Sequence, residues 1–273
     1  MRPYSLAYLT AATLTPPQAV DVAAQLGYQH VGLRLLPSAP GGAWQPILED
    51  QALLRETVAR LRDTGVGVLD LEVIRIGAQF DAGGFTPFLE AGAALQARAV
   101  LVIGEDPDCA RLADSFARLC SAVAPFGMTV DLEFLPWTAV PDARAAMRVL
   151  QAAGCPANAG VLIDALHASR SKTSLDDLSE LARGPLHYAQ ICDAPVGGPF
   201  PLDEMVRTAR QERLLPGEGG IDLGQMFARL PQELPVSIEI PNQVRMAKLG
   251  ALEWARQALA ASRALLEPSA SAV

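Results

Sequence analysis

The chain has 273 residues, half of them hydrophobic and 19% charged, which supplies a sizeable core and excludes a disordered chain. Lys and Arg total 22 against 30 Asp and Glu, a net charge of -8 with the basic residues dispersed, so nucleic acid and anionic membranes are poor partners. No window approaches the roughly 18 apolar residues of a membrane span. The opening stretch from Met1 to Pro17 is broken by Ser, Thr and Tyr and forms no clean signal-peptide core. Cys109, Cys120, Cys155 and Cys192 show neither a C-x-x-C pair nor a zinc spacing, so reduced thiols and a cytoplasmic location are expected.

Taken in chain order, short apolar runs alternate with segments of helical period. Strands are expected at Tyr4–Leu9, His30–Leu36, Gly67–Ile76, Ala99–Ile103, Met128–Leu135, Ala159–Ile163, Leu186–Ile191 and Val236–Ile240. Helices are expected at Pro17–Leu26, where Thr15 and two prolines form a start signal, and at Asp50–Thr64, Thr86–Gln96, Pro107–Ala122, Asp142–Ala153, Leu175–Ala182, Leu223–Leu230 and Leu249–Leu266. Strand and helix alternating in this way predict a parallel sheet with crossover helices. Eight such units in a length close to the ~250 residues of a (β/α)8 barrel predict that closed fold, α/β in class, over an open sheet. The first strand also runs into no glycine-rich phosphate turn. A single domain over 1–267 and a frayed tail over 268–273 follow. The long connection Asp193–Asp222 is of a length that is usually functional.

In such a barrel the chemistry lies at the C-terminal ends of the strands. Four consecutive strands finish on an oxygen-bearing side chain: Glu133, Asp164, Gln190 and Glu239. Strand alternation turns Leu132, Ile163, Ala189 and Ile238 towards the helices and the polar four inwards. Three carboxylates aimed at one mouth repel each other unless a cation lies between them. Two Glu, one Asp and a Gln carbonyl form an all-oxygen set suited to Mg2+ or Mn2+. Each acid alone reads as well as a helix cap or loop residue; the set of four favours the metal. Arg34 and Arg75 end the second and third strands, placed to bind a carboxylate or phosphate, or else to pair with acids such as Glu72. Trp44 and Trp137 lie in connections that would roof the site. His30 and His187 begin strands and read as structural.

The segments Glu133-Phe134, Asp164-Ala165-Leu166-His167, Gln190-Ile191-Cys192-Asp193, Gly217-Glu218-Gly219-Gly220-Ile221-Asp222 and Ser237-Ile238-Glu239 resemble the xylose-isomerase-like superfamily, and within it the sugar phosphate isomerase/epimerase branch. The resemblance runs over essentially the whole chain. It implies a single (β/α)8 (TIM) barrel with one catalytic divalent metal held by Glu133, Asp164, Gln190 and Glu239. Gln190 stands where other members use His, which leaves the metal's identity more open. The resemblance also sets His167, in a D-x-x-H pattern, towards the substrate. Asp193 is placed to orient a ligand or water, and Glu218, in a Gly-rich turn, to act as an acid close to the substrate.

The expected function is a divalent-metal-dependent isomerase or epimerase of a sugar or related hydroxy-carbonyl compound, working through an enediolate with Glu133 and Glu239 as acid/base groups. The alternative is a dehydratase of a cyclic keto-acid or inosose, with His167 supplying a proton. A multi-metal, His-rich nuclease of this superfamily fits badly with three His in all, and retention of the whole polar set argues against a non-catalytic barrel. The substrate is expected to be a small molecule, anionic if Arg34 and Arg75 converge on it. A homo-oligomer is compatible with the sequence.

Overall fold

The computed structural model of the protein describes residues 2–38 and 41–267. The expected tail at 268–273 lies outside them. Eight parallel strands close into a barrel in chain order: β1 Tyr4–Leu6, β2 His30–Arg34, β3 Gly67–Ile76, β4 Ala99–Gly104, β5 Thr129–Glu133, β6 Ala159–Asp164, β7 Ala189–Ile191 and β8 Val236–Ile238. Closure comes from β1 on β8, with Tyr4 opposite Val236 and Leu6 opposite Ile238.

The helices start and stop where local chemistry dictates. α1 (Pro16–Leu26) opens with a capping box between Thr15 and Gln18 and two prolines, and ends at Gly27, whose left-handed φ of 82° suits a residue without a Cβ. Asp50 and Asp108 cap α2 (Gln51–Thr64) and α4 (Cys109–Val123) with their carboxylates. α3 (Thr86–Ala94), α5 (Ala143–Ala152), α7 (Leu175–Leu181) and α9 (Leu223–Ala228) match expected helices. The sequence reading missed α6 (Ala165–Arg170) and α8 (Leu202–Gln211). It also missed α10 (Gln243–Leu249), while α11 (Ala251–Leu266) matches the helix expected at Leu249–Leu266.

The main core lies between sheet and helices and includes Leu132, Ile163, Ala189 and Ile238, as alternation requires. A smaller apolar cluster fills one side of the barrel interior, built from Leu69, Val73, Leu101, Ile103, Leu135, Leu162 and Tyr188. The rest of the interior is polar, with Ser5, Asp70, Asp131 and Ser237 all buried. Asp131 accepts from the Thr129 hydroxyl at 2.6 Å and pairs with His187 at 2.7 Å. Gly160 faces this pair, and a Cβ there would overlap both Asp131 and the His187 ring. Among the described residues no helix is long and apolar enough to cross a membrane. All four cysteines are free.

Candidate active site

A cavity of about 590 Å3 opens at the C-terminal ends of the strands, lined by Glu72, Glu133, His167, Arg213 and Glu239 among others. Each of the four strand-end residues is buried. Asp164 ends β6 and caps α6, its Oδ1 accepting from the His167 backbone N–H at 3.0 Å, so it serves as a helix cap and as a site carboxylate at once. That short helix turns the His167 ring back over the strand end. Its Nε2 lies 3.7 Å from Glu133 Oε1 and 4.0 Å from Asp164 Oδ1, and its ring meets Trp137 edge-on at 5.1 Å. Glu133, Asp164 and His167 each offer a ligand atom within 4.8 Å of the others, a group able to hold a metal ion. Gln190 donates from Nε2 to Glu239 Oε1 at 3.3 Å, while its buried Oε1 has no hydrogen-bond partner among the described residues.

Sequence reasoning missed the residue that organises this site. Arg213, in the connection after α8, lies 2% exposed across the strand ends. Nη1 donates to Asp164 Oδ2 at 2.5 Å and to the Glu239 carbonyl at 3.2 Å, and Nη2 pairs with Glu239 Oε2 at 2.9 Å. Its backbone N–H donates to the Pro241 carbonyl, and its own carbonyl accepts from Asn242. The neighbouring Leu214 bridges to Asp193 beyond β7. The guanidinium is therefore fixed at both ends. No periodicity announces it; the one hint is its place four residues before the Gly217 turn.

Burial pushes the Glu133 carboxyl well above the ordinary carboxylate range, with the Asp164 and Glu239 charges adding to it. Burial likewise raises Glu239, to about 8, against the pull of Arg213. Burial acts on Asp164 in the same direction, but Arg213 and His167 outweigh it and hold the group below its ordinary value. Burial lowers His167 to about 4, so the ring is neutral near pH 7.

Five sequence expectations need correction. Arg34 and Arg75 do line the cavity, but neither is free. Arg34 forks onto Glu72, with Nε 3.0 Å from Oε2, and stacks on Tyr8; Arg75 forks onto Glu105. Asp193 accepts backbone N–H groups from Ala194, Gly217, Gly219 and Ile221 at 2.8–3.1 Å, so it pins the loop and not a ligand. Glu218 pairs with Arg245 at 2.5 Å and stands outside the cavity lining. Trp137 lines the cavity and Trp44 does not.

A profile of the xylose isomerase-like TIM barrel family matches residues 20–265. The chain belongs to this family. The search of curated proteins finds no match. Xylose isomerase-like barrels of known structure superpose over nearly the whole chain. The IolI protein with a bound zinc atom is 18% identical, with a TM-score of 0.79 over 99% of this chain and 100% of its own. D-allulose 3-epimerase from Methylomonas sp., in complex with D-allulose, is 16% identical, with a TM-score of 0.70 over 97% of each chain. A xylose isomerase-like TIM barrel/4-hydroxyphenylpyruvate dioxygenase fusion protein is 18% identical, with a TM-score of 0.78 over 95% of this chain and 42% of its own. At these identities the likeness is one of fold.

Proposed function

We propose that this xylose isomerase-like barrel is a divalent-metal-dependent isomerase or epimerase of a sugar or related hydroxy-carbonyl compound. The observation that carries the reading is Glu133: a buried carboxyl lining the cavity, raised above its ordinary range, and engaged in no hydrogen bond among the described residues. A base of that kind is poised to take a proton from a carbon next to a carbonyl near neutral pH. Glu239, held by Arg213 and Gln190, is the partner that returns the proton on the other face. The zinc-bound and epimerase relatives support the reading by analogy of fold.

The donor set fits a divalent cation. Around the inner cavity the carboxyls of Glu72, Glu133, Asp164 and Glu239 face the guanidiniums of Arg34 and Arg213, so a divalent cation would balance the set once all four carboxyls are ionised. The Gln190 Oε1 is a buried acceptor without a donor among the described residues. Glu133, Asp164, Gln190 and Glu239 would hold Mn2+ or Mg2+, with His167 beside them. Held by these residues, the cation would supply Lewis-acid polarisation of a carbonyl and the hydroxyl next to it. Arg213 fixes the orientation of Asp164 and Glu239, and Trp137 with His167 closes one wall. A second reading, dehydration, is favoured by the 3.7 Å approach of His167 to Glu133, which would let the neutral imidazole accept the proton taken up by Glu133 and pass it to the departing hydroxyl.

Proton NMR in D2O decides. The protein loaded with Mn2+ is incubated with a panel of ketoses, aldoses and cyclic hydroxy-ketones and quenched with EDTA, and the same is done with Mg2+. The expected result is loss of the C–H signal next to the carbonyl, with Glu133→Gln slower by about 10²–10⁴-fold. A new vinyl signal would move the assignment to dehydration. A metal-loaded protein that exchanges no such proton in any member rejects both.

A further inference from the structure

Helix α8 was absent from the sequence reading, and one stripe of it faces a second cavity. Leu202, Val206 and Arg210, spaced four apart, line a gap of about 640 Å3 whose far wall includes Arg75, Glu105 and Trp137. Arg75, Trp137 and Arg210 line the central cavity as well, so the two spaces join into one channel from the acid/base centre outwards. Charge is divided unevenly along it. The inner end carries the four carboxyls already described, with Arg34 and Arg213 committed to them. At the outer end Arg75 is forked onto Glu105, and Arg210 makes no hydrogen bond or ion pair with its side chain among the described residues. Arg34 and Arg213 are both committed to acids, so Arg210 is the uncommitted guanidinium of the channel lining.

We propose that the outer half of this channel is a subsite for a carboxylate on the substrate, received by Arg210 beside the Arg75–Glu105 pair. The assignment rests on the proposed chemistry and deepens it by naming a substrate class: a hydroxy-carbonyl compound that also bears a carboxylate. A carboxylate is attracted to the positive surplus at the outer end, which orients the molecule with its reacting carbonyl towards Glu133. Two arginines against one glutamate leave a surplus of one positive charge. That matches a carboxylate better than a phosphate ester of about -1.5 to -2.

The test is one of binding, so it stands apart from turnover. Calorimetric titration compares D-gluconate, D-glucitol and D-glucitol 6-phosphate on the Mg2+-loaded protein. Gluconate is expected to bind at least about tenfold more tightly than glucitol, the margin of one charge-assisted contact of about 1.5 kcal/mol. Arg210→Ala should remove that margin without changing glucitol, and Arg210→Lys should restore part of it. Equal affinity for gluconate and glucitol overturns the proposal, as does an Arg210→Ala protein that keeps the margin. Tighter binding of the phosphate ester than of gluconate overturns the choice of carboxylate. If the margin is found but no panel compound exchanges a proton in D2O, the subsite stands and the reaction class falls.

Discussion

A guanidinium at 2% exposure persists only where its charge and its N–H groups are met, and Arg213 is met by Asp164, Glu239, the Cys192 sulfur and two backbone carbonyls. Removing it would leave two buried carboxyls without their counter-charge. Arg213→Met is therefore expected to cost about 3–5 kcal/mol in urea unfolding, the usual range for breaking one side of a buried ion pair. Glu133 behaves in the opposite way. It makes no hydrogen bond among the described residues, so Glu133→Gln should leave unfolding within about 1 kcal/mol of wild type while proton exchange collapses. Equal loss of stability in the two variants would mean that Glu133 is a structural member of the cluster, and the assignment of the base would fail.

Most of the elements were legible because each is written locally. Alternation in Asp131-Leu132-Glu133 and Ser237-Ile238-Glu239 shows which side chain faces inwards, and Thr15, Asp50 and Asp108 show where helices begin. Three helices were not legible, for different reasons. α6 is a six-residue turn capped by a site residue, and α10 carries no buried face of its own. α8 does carry an apolar stripe, Leu202, Met205, Val206 and Ala209, but it lies inside the 193–222 connection, whose glycines and prolines read as one long loop. The role of Arg213 was hidden because it depends on a loop closing back over the strand ends, and the fastener of that loop is Asp193. The same Asp193 drew a ligand-orienting expectation from its position after Gln190. Its four backbone acceptances explain that position without a ligand. Gly219 is matched to it, since a Cβ there would overlap Asp193 and the Ala194 backbone. Asp193→Ala and Gly219→Ala should each free the 194–221 segment. Limited proteolysis should then cut within that segment in both variants and spare it in wild type, and Asp193→Ala should lose at least about 1.5–3 kcal/mol. An uncut loop in both variants would show that the fastener lies elsewhere.

At the scale of the whole molecule, the buried acids tie stability to pH and to metal. Glu239 titrates at about 8 in the fold and Glu133 well above its ordinary range, both raised chiefly by burial, whereas an unfolded Glu titrates near 4.3. A carboxyl raised in the fold favours the protonated folded form. Its contribution is full below about pH 4.3 and is lost as the pH rises through the folded value, about 8 for Glu239. The melting temperature of EDTA-treated protein should therefore fall between pH 5 and pH 8.5. His187, raised by its hydrogen bond to Asp131, bends the curve in the same direction, its contribution fading above about 6.5. Metal separates the two causes. A divalent cation replaces the protons on the site carboxyls and leaves His187 untouched, so saturating Mn2+ should raise the melting temperature more at pH 8 than at pH 6. At about 100 times Kd the gain is about 2.7 kcal/mol, or roughly 5–10 °C for a chain of this size. Titrating Mn2+ at pH 7 in two buffers of different ionisation enthalpy should also reveal protons released on binding. A melting temperature that stays level in EDTA across this range, or metal uptake without proton release, would mean that the strand-end carboxyls are already ionised, with Arg213 and Arg34 alone balancing the site.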